Sequence, residues 1–250
     1  STPIKSSAAS DVYKRQEKGE CRQMQATIHN EYLTLTVDTH GAEAVSLKNA
    51  AGEELLWQAD PAVWKRHAPI LFPWTGKLKD GSFTHGGKTY KGGQHGFARD
   101  MEFICTDKTD TSVTHLLEST EETLKHWPYI FQLYITHTLN ERDLTVSWKV
   151  VNKSQETMYF TIGAHPAFNV PVLPDTVQSQ YRLTFNGEHG ICSVFDFFPH
   201  IIVKNLESNP PSKGSVPSGI PIAFIFSSVN TTLSIRTAAP PLCLLYTSDA

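Results

Sequence analysis

The 250-residue chain lacks most of the features that would assign it quickly. Its longest apolar run is about seven residues (220–226), too short to cross a bilayer as a helix. The first twenty residues hold no apolar stretch of the kind a secretory signal needs. Cysteine is scarce: Cys21, Cys105, Cys192 and Cys243 are far apart and none forms a CxxC pair. That argues against a cysteine-built zinc site and a disulfide framework, and the expectation is reduced thiols in a cytoplasmic protein. No block of like charge and no basic stripe exists; 22 Lys+Arg face 25 Asp+Glu, a net charge of −3. Neither nucleic acid nor a membrane surface is therefore an expected partner. The 11 histidines include no HxH or HExxH spacing, so no metal is expected. There is no GxxxxGK[ST] loop and no Ser or Cys in a nucleophile-elbow context, and no cofactor is implied. Helical periodicity is poor almost everywhere.

What the chain does have is short alternating segments. Leu33 to Val37 and Leu144 to Val150 alternate apolar and polar residues. Phe131 to Leu139 and Met158 to Ile162 are rich in β-branched and aromatic residues, which predicts strands. Glycines punctuate a hairpin between Phe83 and Tyr90. Pro61 to Trp64 reads as one short turn. Strands at this spacing predict an all-β antiparallel sandwich, and a chain this long can be one domain. Residues 1–23 are polar and aperiodic and read as a disordered or non-native extension, with residues 24–250 as the folded unit. Residues 209–219 read as a loop.

Two histidine segments stand far apart in the chain: Gln94-His95-Gly96-Phe97-Ala98-Arg99-Asp100 and Gly163-Ala164-His165-Pro166-Ala167-Phe168-Asn169. Upstream of both lies a stretch from Ala68 to Gly81 containing Trp74 and Lys77. His165, at a strand end and fixed by Pro166, suits a general acid; a core histidine bonded to backbone is the plain alternative. His95, beside a glycine that lets backbone approach a ligand, is a second candidate; a histidine satisfied in a turn is the alternative. Trp74, Phe97 and Phe168 offer faces for a pyranose ring, or simply fill the core. Lys77 and Arg66 are candidate substrate cations against a default of surface solvation. Arg99-Asp100 reads as a structural or solvated ion pair.

These segments, in this order, resemble the aldose 1-epimerase (galactose mutarotase) superfamily, in its LacX-like branch. The likeness rests on Lys65-Arg66-His67-Ala68-Pro69-Ile70-Leu71-Phe72-Pro73, on Gln94 to Asp100 and on Gly163 to Asn169. The opening Ile28 to Leu33, Gly41-Ala42-Glu43 and Leu56 to Pro61 add to it, and it covers about Met24 to Pro171. It implies a galactose mutarotase-like β-sandwich that binds an aldohexose and interconverts its α and β anomers by ring opening at C1. His165 would then be the general acid on the ring oxygen, His95 a sugar contact, and Lys77 would stand where the family has an arginine. A lysine keeps the charge but loses the planar fork of donors.

The resemblance also implies a glutamate base in a CIEPW-like segment, and no acid here precedes Pro-Trp. The acids after His165 are Asp175, Glu188, Asp196, Glu207 and Asp249. Ala239 to Leu245 echoes the run before that glutamate, placing its slot near Leu245. The expectation is a native protein that continues beyond this chain, or foreign sequence after about Cys243, with reduced stability as the consequence. Two other readings stay open: a non-catalytic carbohydrate-binding relative, and a hexose-6-phosphate 1-epimerase using Arg66 and Lys65. A small-molecule sugar is the expected partner, bound by a monomer or homodimer.

Overall fold

A computed structural model describes residues 24–177 and four further strand segments, 200–202, 222–227, 232–237 and 242–247. In chain order the strands of its first half are β1 (Gln25–His29), β2 (Leu33–Asp38), β3 (Ala44–Asn49), β4 (Ile70–Leu71), β5 (Ser82–His85), β6 (Lys88–Lys91), β7 (Ile104–Lys108) and β8 (Ser112–Glu118). Then follow β9 (Phe131–Asn140), β10 (Asp143–Asn152), β11 (Gly163–Ala164), β12 (Ala167–Phe168), β13 (His200–Ile202), β14 (Ile222–Ser227), β15 (Thr232–Thr237) and β16 (Leu242–Thr247).

The period-2 segments lie in two antiparallel sheets, one of three strands and one of six. β1-β2-β3 make one; β16-β15-β10-β9-β8-β7 make the other. In β9, Phe131, Leu133, Ile135, His137 and Leu139 are all buried while the residues between them are not, so one face is turned to the core throughout. One contiguous core joins that face to Ile28, Leu35, Val37 and Leu47 of the first sheet. Between β1 and β2, Asn30 Oδ1 accepts the N–H groups of Tyr32 and Leu33 at 2.9 and 2.8 Å, an Asx turn that sets the hairpin register.

The expected hairpin is β5–β6. Gly86 and Gly87 both have positive φ (55° and 76°), as a tight turn matched to strand twist requires. The third sheet is built from short pieces in the order β12-β14-β11-β4, with β13 added parallel to β14. It is the one departure from antiparallel pairing among the strand pairs described.

The strands bear out the all-β expectation, and two other expectations are corrected. Residues 158–162 form no strand. Their neighbour is Pro73, whose carbonyl accepts from Thr161 N at 3.0 Å but which has no N–H to return, so a ladder cannot propagate. A short helix, α1 (Glu121–His126), stands among the strands; it starts on a reciprocal cap in which the Thr120 and Thr123 side chains satisfy each other's backbone N–H. Cys105 is disulfide-bonded, not a reduced thiol. Residues 1–23 and 209–219 lie outside the described residues. Among the described residues no helix is long and apolar enough to cross a membrane.

The core holds two histidines that no sequence pattern singles out. His115 and His137 are fully buried on adjacent strands β8 and β9. Among the described residues neither His115 ring nitrogen nor His137 Nδ1 has a hydrogen-bond partner. Burial lowers His115 from the ordinary 6.5 to about 4, with Asp38 acting the other way. Burial, reinforced by His115, lowers His137 to about 3. Both rings are therefore neutral in the fold and take up protons only on unfolding once the pH drops below about 6.5. The unfolded state binds more protons in that window, so stability falls as pH falls from about 6.5 toward 4, by up to about 1.4 kcal/mol per histidine per pH unit. Thermal unfolding measured from pH 7.5 to 4.5 should show this decline, and a His115→Leu/His137→Leu variant should flatten it.

Candidate functional site

The site is built on the stretch from Ala68 to Gly76, which has a histidine segment on each side. On one side β11 pairs antiparallel with β4, Ala164 opposite Ile70 and Gly163 opposite Leu71. His165 N donates to Pro69 O at 2.9 Å and Ala167 N to His67 O at 2.8 Å, which fixes the Gly163–Phe168 segment residue by residue. On the other side Phe97 N and Ala98 N both donate to Phe72 O, at 2.9 and 3.1 Å, and His95 N donates to Gly76 O at 2.7 Å.

This second approach is tight. A Cβ on Gly96 would lie 2.1 Å from Phe72 O, and Gly96 has a φ of 70°. Only glycine fits there, for reasons of both space and backbone conformation. His95 itself has φ 69°, uncommon for a residue with a side chain. Its ring is held by what surrounds it. Gly76 N donates to Nδ1 at 2.9 Å, and the Gln94 side-chain amide lies 2.9 Å from Nε2. A ring accepting at Nδ1 carries its proton on Nε2, on the side of the Gln94 amide.

The two imidazoles meet. Their ring centroids are 6.0 Å apart at 65°, with His95 4% and His165 6% exposed. The Trp64 ring lies 4.8 Å from that of His165. The turn that delivers Trp64 starts at Asp60, whose carbonyl accepts from Val63 N and Trp64 N; Trp57 Nε1 then donates to Trp64 O at 2.7 Å. The sequence places a turn at residues 61–64 but does not single out Trp64.

The other expected residues are placed as follows. Trp74 is buried, donates from Nε1 to Gly93 O at 2.8 Å, and packs edge-on to Phe97 behind the His95 segment. Phe97 is half-buried against Phe72 and Phe131. Phe168 is 1% exposed and belongs to the apolar core. Lys77 is exposed and follows Gly76, the residue that holds His95. Arg66 pairs with Asp100 through Nη2, donates to Arg99 O from Nη1 at 3.3 Å, and lies 4.0 Å from Glu43 Oε2. The Arg99–Asp100 ion pair is there, at 3.5 Å. Among the acids considered after His165, Asp175 is an exposed turn residue with φ 62°; Glu188, Asp196, Glu207 and Asp249 lie outside the described residues. Leu245 is in β16 opposite Ser234.

Glu43 is the structural residue that sequence reasoning misses. It is 6% exposed, and its Oε1 accepts from His67 N at 2.6 Å and Ala68 N at 2.8 Å. It thereby satisfies the backbone entering β4, as a buried carboxylate must if its own desolvation is to be offset. A cavity of about 320 Å³ adjoins it, lined by Asp38, His40, Glu43, Val45, Lys65, Arg66 and His67. Among the described residues no cluster of three His, Cys, Asp or Glu side chains could hold a metal ion.

A β-rich fold with two facing imidazoles at the junction of short strands defines the class. The Aldose 1-epimerase family model matches residues 24–213, and the chain belongs to that family. Protein LacX (chromosomal) of Lactococcus lactis subsp. lactis is 35% identical over 194 residues, covering 75% of this chain and 64% of LacX. The X-ray structure of a galactose mutarotase related enzyme from Lactobacillus acidophilus matches with TM-score 0.60 and 45% identity, over 61% of this chain and 51% of that one. A protein of Escherichia coli K12 named "Putative glucose-6-phosphate 1-epimerase" is 27% identical over 148 residues, covering 54% of this chain and 47% of its own. The chain thus spans just under two thirds of the LacX protein and about half of the solved structure.

The Gly96 constraint is directly testable. Gly96→Ala should cost more than about 2 kcal/mol or displace His95, because backbone conformation and a backbone oxygen both oppose the methyl group. Gly93→Ala, where no atom lies within 4 Å, should unfold within about 0.5 kcal/mol of the parent chain. Chemical denaturation of the two variants compares them.

Proposed function

We propose that this chain carries the acid half of an aldose 1-epimerase site, interconverting the α and β anomers of an aldohexose. The observation that carries the reading is the 6.0 Å approach of the His95 and His165 rings, drawn from segments far apart in sequence. In the proposed mechanism His165 gives a proton to the ring oxygen while a carboxylate, the half of the pair not assigned to a residue of this chain, takes the anomeric hydroxyl proton. The C1–O5 bond breaks to the open-chain aldehyde, C1 rotates about C1–C2, and reclosure on either face returns both protons. His95 contacts the sugar from beside the acid. Lys77, exposed beside Gly76, supplies a cation for the sugar hydroxyls. Trp64 walls the His165 ring from water, which strengthens proton transfer there. A cytoplasmic location is part of the same reading.

Polarimetry with freshly dissolved α-glucose and α-galactose tests the proposal. Where the carboxylate base is supplied, the approach to anomeric equilibrium should be accelerated, and His165→Ala should lower kcat by about 10²- to 10⁴-fold, the usual worth of a positioned general acid. Sugar binding without acceleration would replace the proposal with a non-catalytic carbohydrate-binding role. The E. coli relative favours a second reading, a hexose-6-phosphate substrate, on which the charge distribution around Arg66 bears.

A further inference from the structure

Beside the histidine pair lie two arginines that look, by residue type alone, like a phosphate clamp. Arg99 Nη2 donates to Gln94 O at 2.8 Å, and the Gln94 side chain touches His95. Arg66 closely follows Trp64, which rests on His165. The guanidinium groups are each about one-fifth exposed and close enough that Arg66, after burial, helps lower Arg99 from its ordinary value. A planar guanidinium fork is the usual means of gripping a phosphoryl group.

The clamp is already filled. Asp100 pairs with Arg66 Nη2 through one carboxylate oxygen and stands 3.5 Å from Arg99 Nε through the other. Arg99 Nε is buried and makes no hydrogen bond among the described residues, so the carboxylate balances its charge without satisfying its donor. Glu43 lies 4.0 Å from Arg66 Nη1. The surroundings add acid: Asp38 lines the neighbouring cavity with His40, and His40 contacts Glu102 at 2.7 Å. Around this flank Asp38, Glu43, Asp100 and Glu102 stand against Lys65, Arg66 and Arg99 as permanent charges, four against three. A dianionic group arriving here meets no net positive field and must displace a resident carboxylate.

We infer that Asp100 is a specificity-determining residue: an internal anion that occupies the Arg66–Arg99 pair and restricts the site to uncharged sugars, excluding sugar phosphates. The inference rests on the sugar-epimerase reading for its substrate and adds to it the class of sugar and the residue that selects it. A phosphoryl group brought against this carboxylate sets like charges side by side, a juxtaposition that disfavours the wrong partner strongly enough to separate the two substrate classes. Removing that charge leaves two guanidinium groups with a vacated anion position and one unsatisfied donor.

The test uses the full chain and inorganic phosphate as probe, followed by tryptophan fluorescence and calorimetry. The parent chain should show no saturable phosphate binding below about 1 mM. Asp100→Asn should bind phosphate at least about tenfold tighter, with the gain lost in an Asp100→Asn/Arg99→Gln chain. Where turnover is measurable, Asp100→Asn should raise the ratio of kcat/KM for glucose 6-phosphate over glucose by a similar factor. Saturable phosphate binding by the parent chain in the micromolar range would overturn the inference without need of a variant. Equal phosphate affinity in the parent and a folded Asp100→Asn chain would overturn it too. The phosphate arms need no catalysis, so a chain that fails polarimetry defeats the mutarotase reading while leaving the Asp100 assignment readable.

Discussion

Two backbone hydrogen bonds to one carbonyl, Phe72 O, hold the candidate site together. They draw the Phe97-Ala98 backbone against the centre of the Ala68–Gly76 stretch, and the approach is so close that residue 96 has to be glycine. The same stretch holds the His165 segment on its other side through Pro69 O and the β4–β11 pairing. Each histidine segment is referenced to the strap between them. That is how positions so distant along the chain reach a 6.0 Å ring separation without a long regular strand to carry them. Irregular backbone of this kind must place its polar groups one at a time. Here they go to Gly76, Phe72, Pro73, Pro69 and His67.

Charge reinforces the strap at its entrance. Glu43 reaches from the turn after β2 to the amides of His67 and Ala68, so a buried carboxylate ties the first sheet to the start of β4. Arg66 lies between Glu43 and Asp100, and Arg99 runs from Asp100 back to the carbonyl of Gln94. Glu43, Arg66, Asp100 and Arg99 thus form a nearly neutral chain from the first sheet to the residue before His95. Such a chain orients groups more than it adds stability, since Asp100 is about half exposed and solvent screens its pairs with both arginines. Its value lies in fixing where the His95 loop leaves the strap.

Strands of the three- and six-stranded sheets were legible because burying one face imposes period 2, as Phe131 to Leu139 and Leu144 to Val150 show. The Gly86-Gly87 hairpin was legible because the turn demands positive φ. Residues 158–162 have the composition of a strand, yet composition cannot report that the neighbour offers Pro73. The cap of α1 was present in Thr120 and Thr123 but lay within too short a periodic run to stand out. The pairing of His95 with His165 came from family resemblance, not from pattern, and the structure supplies its geometry. Glu43 escaped because nothing in a linear sequence marks a carboxylate that will bond the backbone of His67 and Ala68. Trp64 and the His115–His137 pair escaped for a related reason: side chains that a turn or an alternating strand carries inward look, in one dimension, like any others.

The two site histidines are not equivalent, and the asymmetry is local. His95 sits in a left-handed backbone conformation that costs free energy, and it is held there by bonds at its own N–H, at Nδ1 and at Nε2. The bond from Gly76 N–H can be accepted only by an unprotonated Nδ1, so protonating His95 would break the contact that positions it. A ring so fixed is poorly suited to cycling a proton. His165 is held through its backbone, by Pro69 O, and its ring rests against Trp64. That backbone bond does not involve the imidazole, so the strap there does not depend on the protonation of the ring. In the proposed reaction the acid is assigned to His165 because the His95 ring is engaged in holding its own loop.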